Sequence, residues 1–407
     1  LLNQGANASI QNHNGKTALQ LAIEENNTDT TQLLVQDSQL GGEGRKAQFA
    51  MRRALHRAVC AKQLHTVQRL LERGVHVDFC VSEDFLKRTL LQIAVDESTR
   101  EIVEVLLAQK PNLYLADNSH RTLITNCLNQ GAFDLAERIL SMGFDIHYRD
   151  QNGEGLLHKL PWDNEVESAR FLLHHGIEVN AQDQRGRGVL WGAIPRDIQL
   201  LRLLLEAGAN PNLVNEDGES ALHVAAREGE PEQIRLLIEY GAEVDLSDKR
   251  GKTPFSVACF EQKRTNAEVL LEEGAEVDAN PGAPSPLAEA ALGGHQKLFH
   301  WLLEQGADIL FKSNSGGSIL HLATSHRSGQ TIVETCVEWG LGLDEVDSYG
   351  RTPLHIPAQQ GFGATVAYLL EQGINVNIQS KTGNTALHEA AASGHDIVIQ
   401  LLLDRGA

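Results

Sequence analysis

Apolar positions in this chain form short helical stripes set between small-residue faces and polar turns, and the same order returns about every 33 residues. One stretch shows the pattern whole. Ser380 to Gly383 is polar, Leu387, Ala390 and Ala391 share a face of one short helix, and Gly394 breaks it. Val398, Leu401 and Leu402 then stripe a second helix, which Gly406 breaks in turn. Thr385 stands where an N-cap hydroxyl accepts a free backbone N–H. Pro254 and Pro353 follow the matching threonines at the first helical position, where a missing N–H costs nothing. Glycine after each stripe suits a left-handed cap. The pattern predicts an extended segment, a polar turn, a helix, a turn and a second helix, repeated.

The turn glycine, or its replacement, falls at His120, Gly153, Gly186, Gly218, Gly251, Ala283, Gly316, Gly350 and Gly383, with gaps of 32 to 34 residues. A period of this length means stacked supersecondary units that shelter one another's apolar faces. The copy starting at Asp347 reads Gly350, Thr352-Pro353-Leu354-His355, Ala358, Gly361, Val366, Leu369-Leu370, Gly373. Thr-Pro-Leu-His-x-Ala at this spacing resembles the ankyrin repeat, and the resemblance covers nearly the whole chain. It implies an all-α repeat solenoid, elongated and curved, in which each repeat is a short β-hairpin followed by helix–turn–helix.

In this register residues 1–407 form a single domain of about twelve repeats. Three weaker units near the start thread through Thr17-Ala18-Leu19, Arg53 to His56 and Thr89 to Leu91, with degenerate repeats and a loop insertion within 36–120. The spacing there stretches to 36 residues, and Leu40–Arg45 reads as an inserted loop. Leu1 to Gln11 mirrors Leu369 to Gln379, and the chain stops after a second helix. The expectation is a piece of a longer array, truncated at both ends, because terminal units of solenoids are ordinarily polar caps.

Composition changes the picture in three ways. Aromatic residues are only 5%, which fits a core of Leu, Ala and Val, and no run of 18 apolar residues suggests a membrane span. A net charge of −19 disfavours nucleic acid and anionic membranes as partners. Acid concentrates on second helices and the loops after them, as at Glu268, Glu272, Glu273 and Glu276, which reads as a solvated outer face. Five scattered cysteines, Cys60, Cys80, Cys127, Cys259 and Cys336, point to a reducing compartment, cytoplasmic or nuclear. Cys127, Cys259 and Cys336 take small or leucine positions of helices and read as small core hydrophobes.

Candidate chemistry is absorbed by the scaffold. His56, His158, His223, His321, His355 and His388 recur at one place in six units, the mark of a structural role; the family resemblance implies a hydrogen bond near the hairpin. Gly15-Lys16-Thr17 and Gly251-Lys252-Thr253 mimic the end of a phosphate loop, but Ile10 and Leu246 stand where that loop needs glycine. No motif for a metal, a cofactor or a nucleophile appears, so no cofactor and no catalysis are expected.

Solenoids bind on a concave face, lined in the ankyrin family by hairpin tips and first helices. The units starting at Asp150 and Asp183 depart most from the pattern. Pro161-Trp162 falls where small residues are expected, Trp191 replaces the usual histidine, and Pro195 should end its helix early. Trp162 and Trp191, with Tyr148 and Arg149, make one candidate anchor patch, since Trp, Tyr and Arg dominate interface energetics. The alternative is that the tryptophans fill space left by distorted helices. Arg185, Arg187, Lys249, Arg250 and Arg351, with Tyr349 beside the last, form a basic edge of tips that would steer an acidic partner segment; the plainer alternative is that turns are polar because they are exposed. Pro281 to Pro286 reads as an altered, rigid tip.

The functional expectation is a non-catalytic scaffold or adaptor, monomeric as a fragment, holding another protein on its concave face. One alternative is the recognition or sensor arm of a larger multidomain signalling protein such as an NTPase. More remote is an enzyme or small-molecule binder, which would need a closed pocket with convergent polar groups.

Overall fold

A computed structural model describes residues 10–407, apart from 11, 15, 26, 28–29, 32, 35–44, 81–85, 98, 161–162 and 280–284. Residues 40–44 of the expected insertion, Trp162 and most of the proline-rich tip therefore lie outside the described residues. The chain divides into two compact units, Leu1–Gln184 and Arg185–Ala407.

Within the first unit, first and second helices alternate as Arg45–Cys60 and Leu64–Glu72, Leu90–Asp96 and Arg100–Leu107, then Leu123–Asn129 and Phe133–Ser141. The second unit continues the alternation from Val189–Ala193 and Ile198–Glu206 through to Ala386–Ser393 and Asp396–Leu403. In both, first helices pack on the first helices of adjacent repeats and second helices on second, in sequence order. Small residues permit the close approach. Ala225, Ala258, Ala323 and Ala390 occupy the same position of their first helices, and each is fully buried at 0% exposure. The second helices close the core with paired leucines, as Leu200, Leu201, Leu204 and Leu205 do on Ile198–Glu206.

Local chemistry sets the helix starts. Thr89 accepts the Gln92 N–H at 3.2 Å while the Gln92 side chain accepts the Thr89 N–H at 2.7 Å, a reciprocal capping box. In later repeats a histidine takes the glutamine's part: Ser220, Ser318 and Thr352 donate their backbone N–H to Nδ1 of His223, His321 and His355 at 3.0 to 3.2 Å. Proline acts as expected. The first helix before Pro161 shrinks to a 3-10 turn, Leu156–Lys159, and the one before Pro195 to Val189–Ala193.

The expected β-hairpins are shortened to their turns. Among the described residues only isolated bridges form, Cys80 to Thr89 and Lys312 to Ser318. Tips close on a pair of backbone bonds, as from Asp248 N to Lys252 O at 2.8 Å and from Gly251 N to Asp248 O at 2.9 Å, and the first side chain accepts further N–H groups. Asp248 Oδ1 takes those of Arg250 and Lys252 at 2.8 and 2.7 Å. Neighbouring tips are zipped by single backbone bonds, Lys249 N to Asp217 O at 2.9 Å and Lys381 N to Tyr349 O at 2.8 Å. One backbone bond between neighbouring tips is too few to propagate a strand ladder, so turn bonds and side-chain turn chemistry carry the tips instead.

Candidate functional site

Two surfaces could recognise a partner: the row of tips, and the exposed side of the first helices. Each tip begins with a short polar side chain that folds back on its own turn, and this electrostatic frame absorbs several of the candidate cations. Arg351 donates Nε and Nη2 to Asp347 Oδ2 at 2.9 and 2.8 Å, and its guanidinium lies over the Tyr349 ring, 4.8 Å from the centroid. Burial alone would raise the Asp347 pKa, but N–H donors from Arg351 and Tyr349 and the Arg351 charge outweigh it and hold the carboxyl below its ordinary value. Arg121 makes the same reach to Asp117 at 3.1 Å. Lys252 pairs with Glu289 at 3.3 Å. Lys249 and Arg250 are exposed, and their side chains make no ion pair among the described residues. Tyr349 is 59% exposed, so Tyr349 and the Lys249–Arg250 pair are tip groups open to a partner.

The tryptophan-centred candidates fall on both units. Tyr148 and Arg149 belong to the first; Trp191, with Arg185 and Arg187, belongs to the second. Tyr148 packs in an aromatic cluster with Tyr114 and Phe144, ring centroids 5.2 and 5.8 Å away. Arg149 is tied to the next repeat through Gln182 O at 2.6 Å and Glu178 at 3.3 Å. Arg185 is exposed and Arg187 half-buried. Trp191 is half-buried at the N3 position that histidine takes elsewhere, behind Gly188 as N-cap. Indole is a donor only and cannot accept the N-cap N–H, and its Nε1 is buried without a hydrogen-bond partner.

The first-helix side of the second unit carries a site that the motif analysis did not single out. Arg227, Phe260, Leu292, Ser325, Gln359 and Ala392 hold equivalent places near the ends of successive first helices. Phe260 and Leu292 are neighbours in that row and are 56% and 51% exposed. With Cys259, Pro286, Ala290 and Leu298 they line a recess of ≈ 200 Å³. The Lys252 ammonium sits 3.9 Å from the Phe260 ring centroid, so a tip residue of the same repeat forms one wall of this apolar spot. A signal existed: aligning the repeats at this one position exposes two large apolar residues in a row otherwise polar or small.

A larger hollow of ≈ 520 Å³ lies along the second helices Arg100–Leu107 and Phe133–Ser141 of the first unit. Ion pairs span it, Arg100 to Asp134 at 2.8 Å and Arg138 to Glu104 at 2.9 Å. Three of the six recurrent histidines are committed to the stack: Nε2 of His223, His321 and His355 donates to the carbonyls of Lys252, Arg351 and Asn384 at 3.0 to 3.1 Å, and Nδ1 accepts as described. With both ring nitrogens used, these imidazoles serve the stack rather than a reaction. His56 departs from the expected place, lying within the long helix Arg45–Cys60 with its Nε2 3.3 Å from Cys60 Sγ.

A family profile described as ankyrin repeats (3 copies) matches residues 1–81, 55–150, 190–281 and 320–407. Among solved structures, the human ASB11 ankyrin repeat domain is 30% identical, with 54% of this chain and 99% of that one covered and a TM-score of 0.48. The ankyrin repeat domain of Bcl-3, described as a unique member of the IkappaB protein family, is 24% identical, with 54% of this chain and 100% of that one covered and a TM-score of 0.46.

Proposed function

Because the chain belongs to the ankyrin-repeat family, whose repeats mediate protein–protein interaction, we propose that it is a non-catalytic recognition array that holds a partner protein along its first helices and tips. The observation that carries this reading is the pairing of Phe260 and Leu292, two large apolar side chains left half-exposed side by side on otherwise regular helices. An exposed apolar pair of this kind costs solubility and is retained where something covers it. A recess of ≈ 200 Å³ is too small for a typical cofactor-sized ligand and suits one side chain of a partner. Lys249 and Arg250, on the tip that leads into the Phe260 helix, would meet carboxylates of the same partner segment, which favours an acidic one. None of the five cysteines is in a disulfide, in keeping with a reducing, cytoplasmic or nuclear location.

Affinity capture with the full chain tests the reading, beside Phe260→Asp/Leu292→Asp and Lys249→Glu/Arg250→Glu variants. A partner captured by the parent and lost from the first variant, with thermal unfolding unchanged, is expected. The charge-reversed variant should weaken capture in a salt-dependent way. Identical partners on all three proteins would overturn the proposal.

A further inference from the structure

Several of the loops that follow the second helices are joined to the next repeat by one side chain, four places after the loop's left-handed residue. Asp78, after Gly74, accepts the N–H of Asn112 at 2.8 Å. Asn212, after Gly208, accepts that of Glu243 and donates to Gly241 O, both at 2.8 Å. Asp278 and Asp344 accept from Asp308 and Asn375 at 2.8 Å, and even the longer Tyr114 reaches Asp145 N at 3.0 Å through its hydroxyl. After Gly306 the same place is taken by Leu310. A leucine can make no such bond, and it is 72% exposed. Since Asn212 meets Gly241, the register sets Leu310 against Gly340, whose preceding residue is Trp339, 59% exposed. The register thus puts two large, exposed apolar residues on neighbouring loops, at a place where several other repeats have a bonding Asp, Asn or Tyr.

The surroundings are one-sided in charge. Glu304, Asp308, Glu338, Asp344 and Glu345 are all exposed. The loops 305–312 and 339–346 hold one basic side chain, Lys312, and it is already paired with Glu345 at 3.3 Å. The negative field extends to the next second helix. There the Tyr368 phenol is pushed up, first by burial and then by Glu334 and Glu338.

We propose that the edge around Leu310 and Trp339 docks a basic amphipathic segment of a partner protein, its apolar side chains seated on the leucine and indole and its lysines or arginines facing Glu304, Asp308, Glu338 and Asp344. An exposed indole face adds cation–π attraction for the same Lys or Arg side chains. Phosphate-bearing partners, nucleic acid and anionic lipid, are repelled by the carboxylates that attract this one. The surface lies on the loops after the second helices, apart from the first-helix row that holds Phe260, so the two proposals stand or fall separately.

The probe is a fluorescein-labelled amphipathic peptide of leucine and lysine, with a leucine–glutamate peptide of the same pattern and a serine–lysine peptide of the same charge as controls. Binding to the full chain is read by anisotropy at low and high salt. The Leu310→Asn variant restores a residue type the register already uses, so it retains the fold; thermal unfolding checks this for it and for Trp339→Ala. Expected is salt-sensitive binding of the leucine–lysine peptide alone, weakened roughly tenfold or more by either variant and untouched by Phe260→Asp. Equal binding of the serine–lysine peptide, or binding undiminished in both variants, overturns the proposal. So does a concentration-dependent dimer of the parent chain that the same variants abolish, because the patch would then belong to self-association.

Discussion

His223 donates its Nε2 hydrogen to the carbonyl of Lys252, 3.0 Å away and 29 residues further along the chain. The bond ties the start of one first helix to the tip of the next repeat, and His321 to Arg351 repeats it at 3.0 Å. In the first unit Gln92 does the same work, reaching Arg121 O at 2.6 Å.

That geometry requires a neutral ring, since Nδ1 accepts a backbone N–H and cannot carry a proton of its own. Burial pushes the His223 and His321 pKa values down, and the bonds to Lys252 and Arg351 offset this only in part. A folded pKa below the unfolded one of about 6.5 makes the stabilisation complete above that value and lost as pH falls through the lower, folded value. Denaturant midpoints should therefore drop between neutral and mildly acidic buffer. His223→Gln, which copies Gln92, should unfold near the parental midpoint at neutral pH and lose part of the acid sensitivity. An unchanged pH profile in the variant would remove His223 from the explanation.

Gly218 has a φ of +83°, and a Cβ there would lie 2.8 Å from the Lys249 backbone nitrogen. That nitrogen makes the tip-to-tip bond to Asp217 O at 2.9 Å. Gly218→Ala adds a clash to the left-handed strain and should cost about 1–3 kcal/mol in urea unfolding. Gly241, at φ +87° with nothing within 4 Å, carries the strain alone, so Gly241→Ala should cost less.

Asn266 is 2% exposed and turns its Nδ2 to the carbonyls of Ala225, Ala226 and Gly229 at 3.3, 3.2 and 2.9 Å. It satisfies the end of the preceding repeat's first helix. Asn266→Ala leaves those buried acceptors without this donor and should destabilise by about 1–3 kcal/mol, measurable by the same unfolding series.

Thiol reactivity should split the cysteines. Cys60 and Cys80 are exposed, whereas Cys127, Cys259 and Cys336 are buried. Burial pushes the Cys336 thiol up to about 12 and raises those of Cys127 and Cys259 as well. Mass spectrometry after brief alkylation should find label on Cys60 and Cys80 in the native protein, and on the other three only after unfolding.

The repeat, its caps and its core could be read from residues alone, and particular cases show why. Thr385 to Gly406 carries N-cap, small face, left-handed glycine and leucine stripe within one unit, and each depends on neighbours a few residues away. Pro195 shortened its helix because the ring acts on the adjacent turn. The binding candidates were less legible. Arg351 and Lys249 are alike as tip cations in the sequence, yet Asp347 occupies the first while the second stands open. Phe260 and Leu292 are unremarked in their own repeats and become a pair only when first helices stack.

Periodicity, most helix positions and the use of His223, His321 and His355 were settled by the order of residues, because they follow from backbone geometry over one or two turns. Which cations stay unpaired, where Trp191 lodges, and that Leu310 and Trp339 are both left exposed were decided only by the stacked repeats. Those relations join residues about thirty places apart, and burial and ion pairing exist only once such residues share a surface.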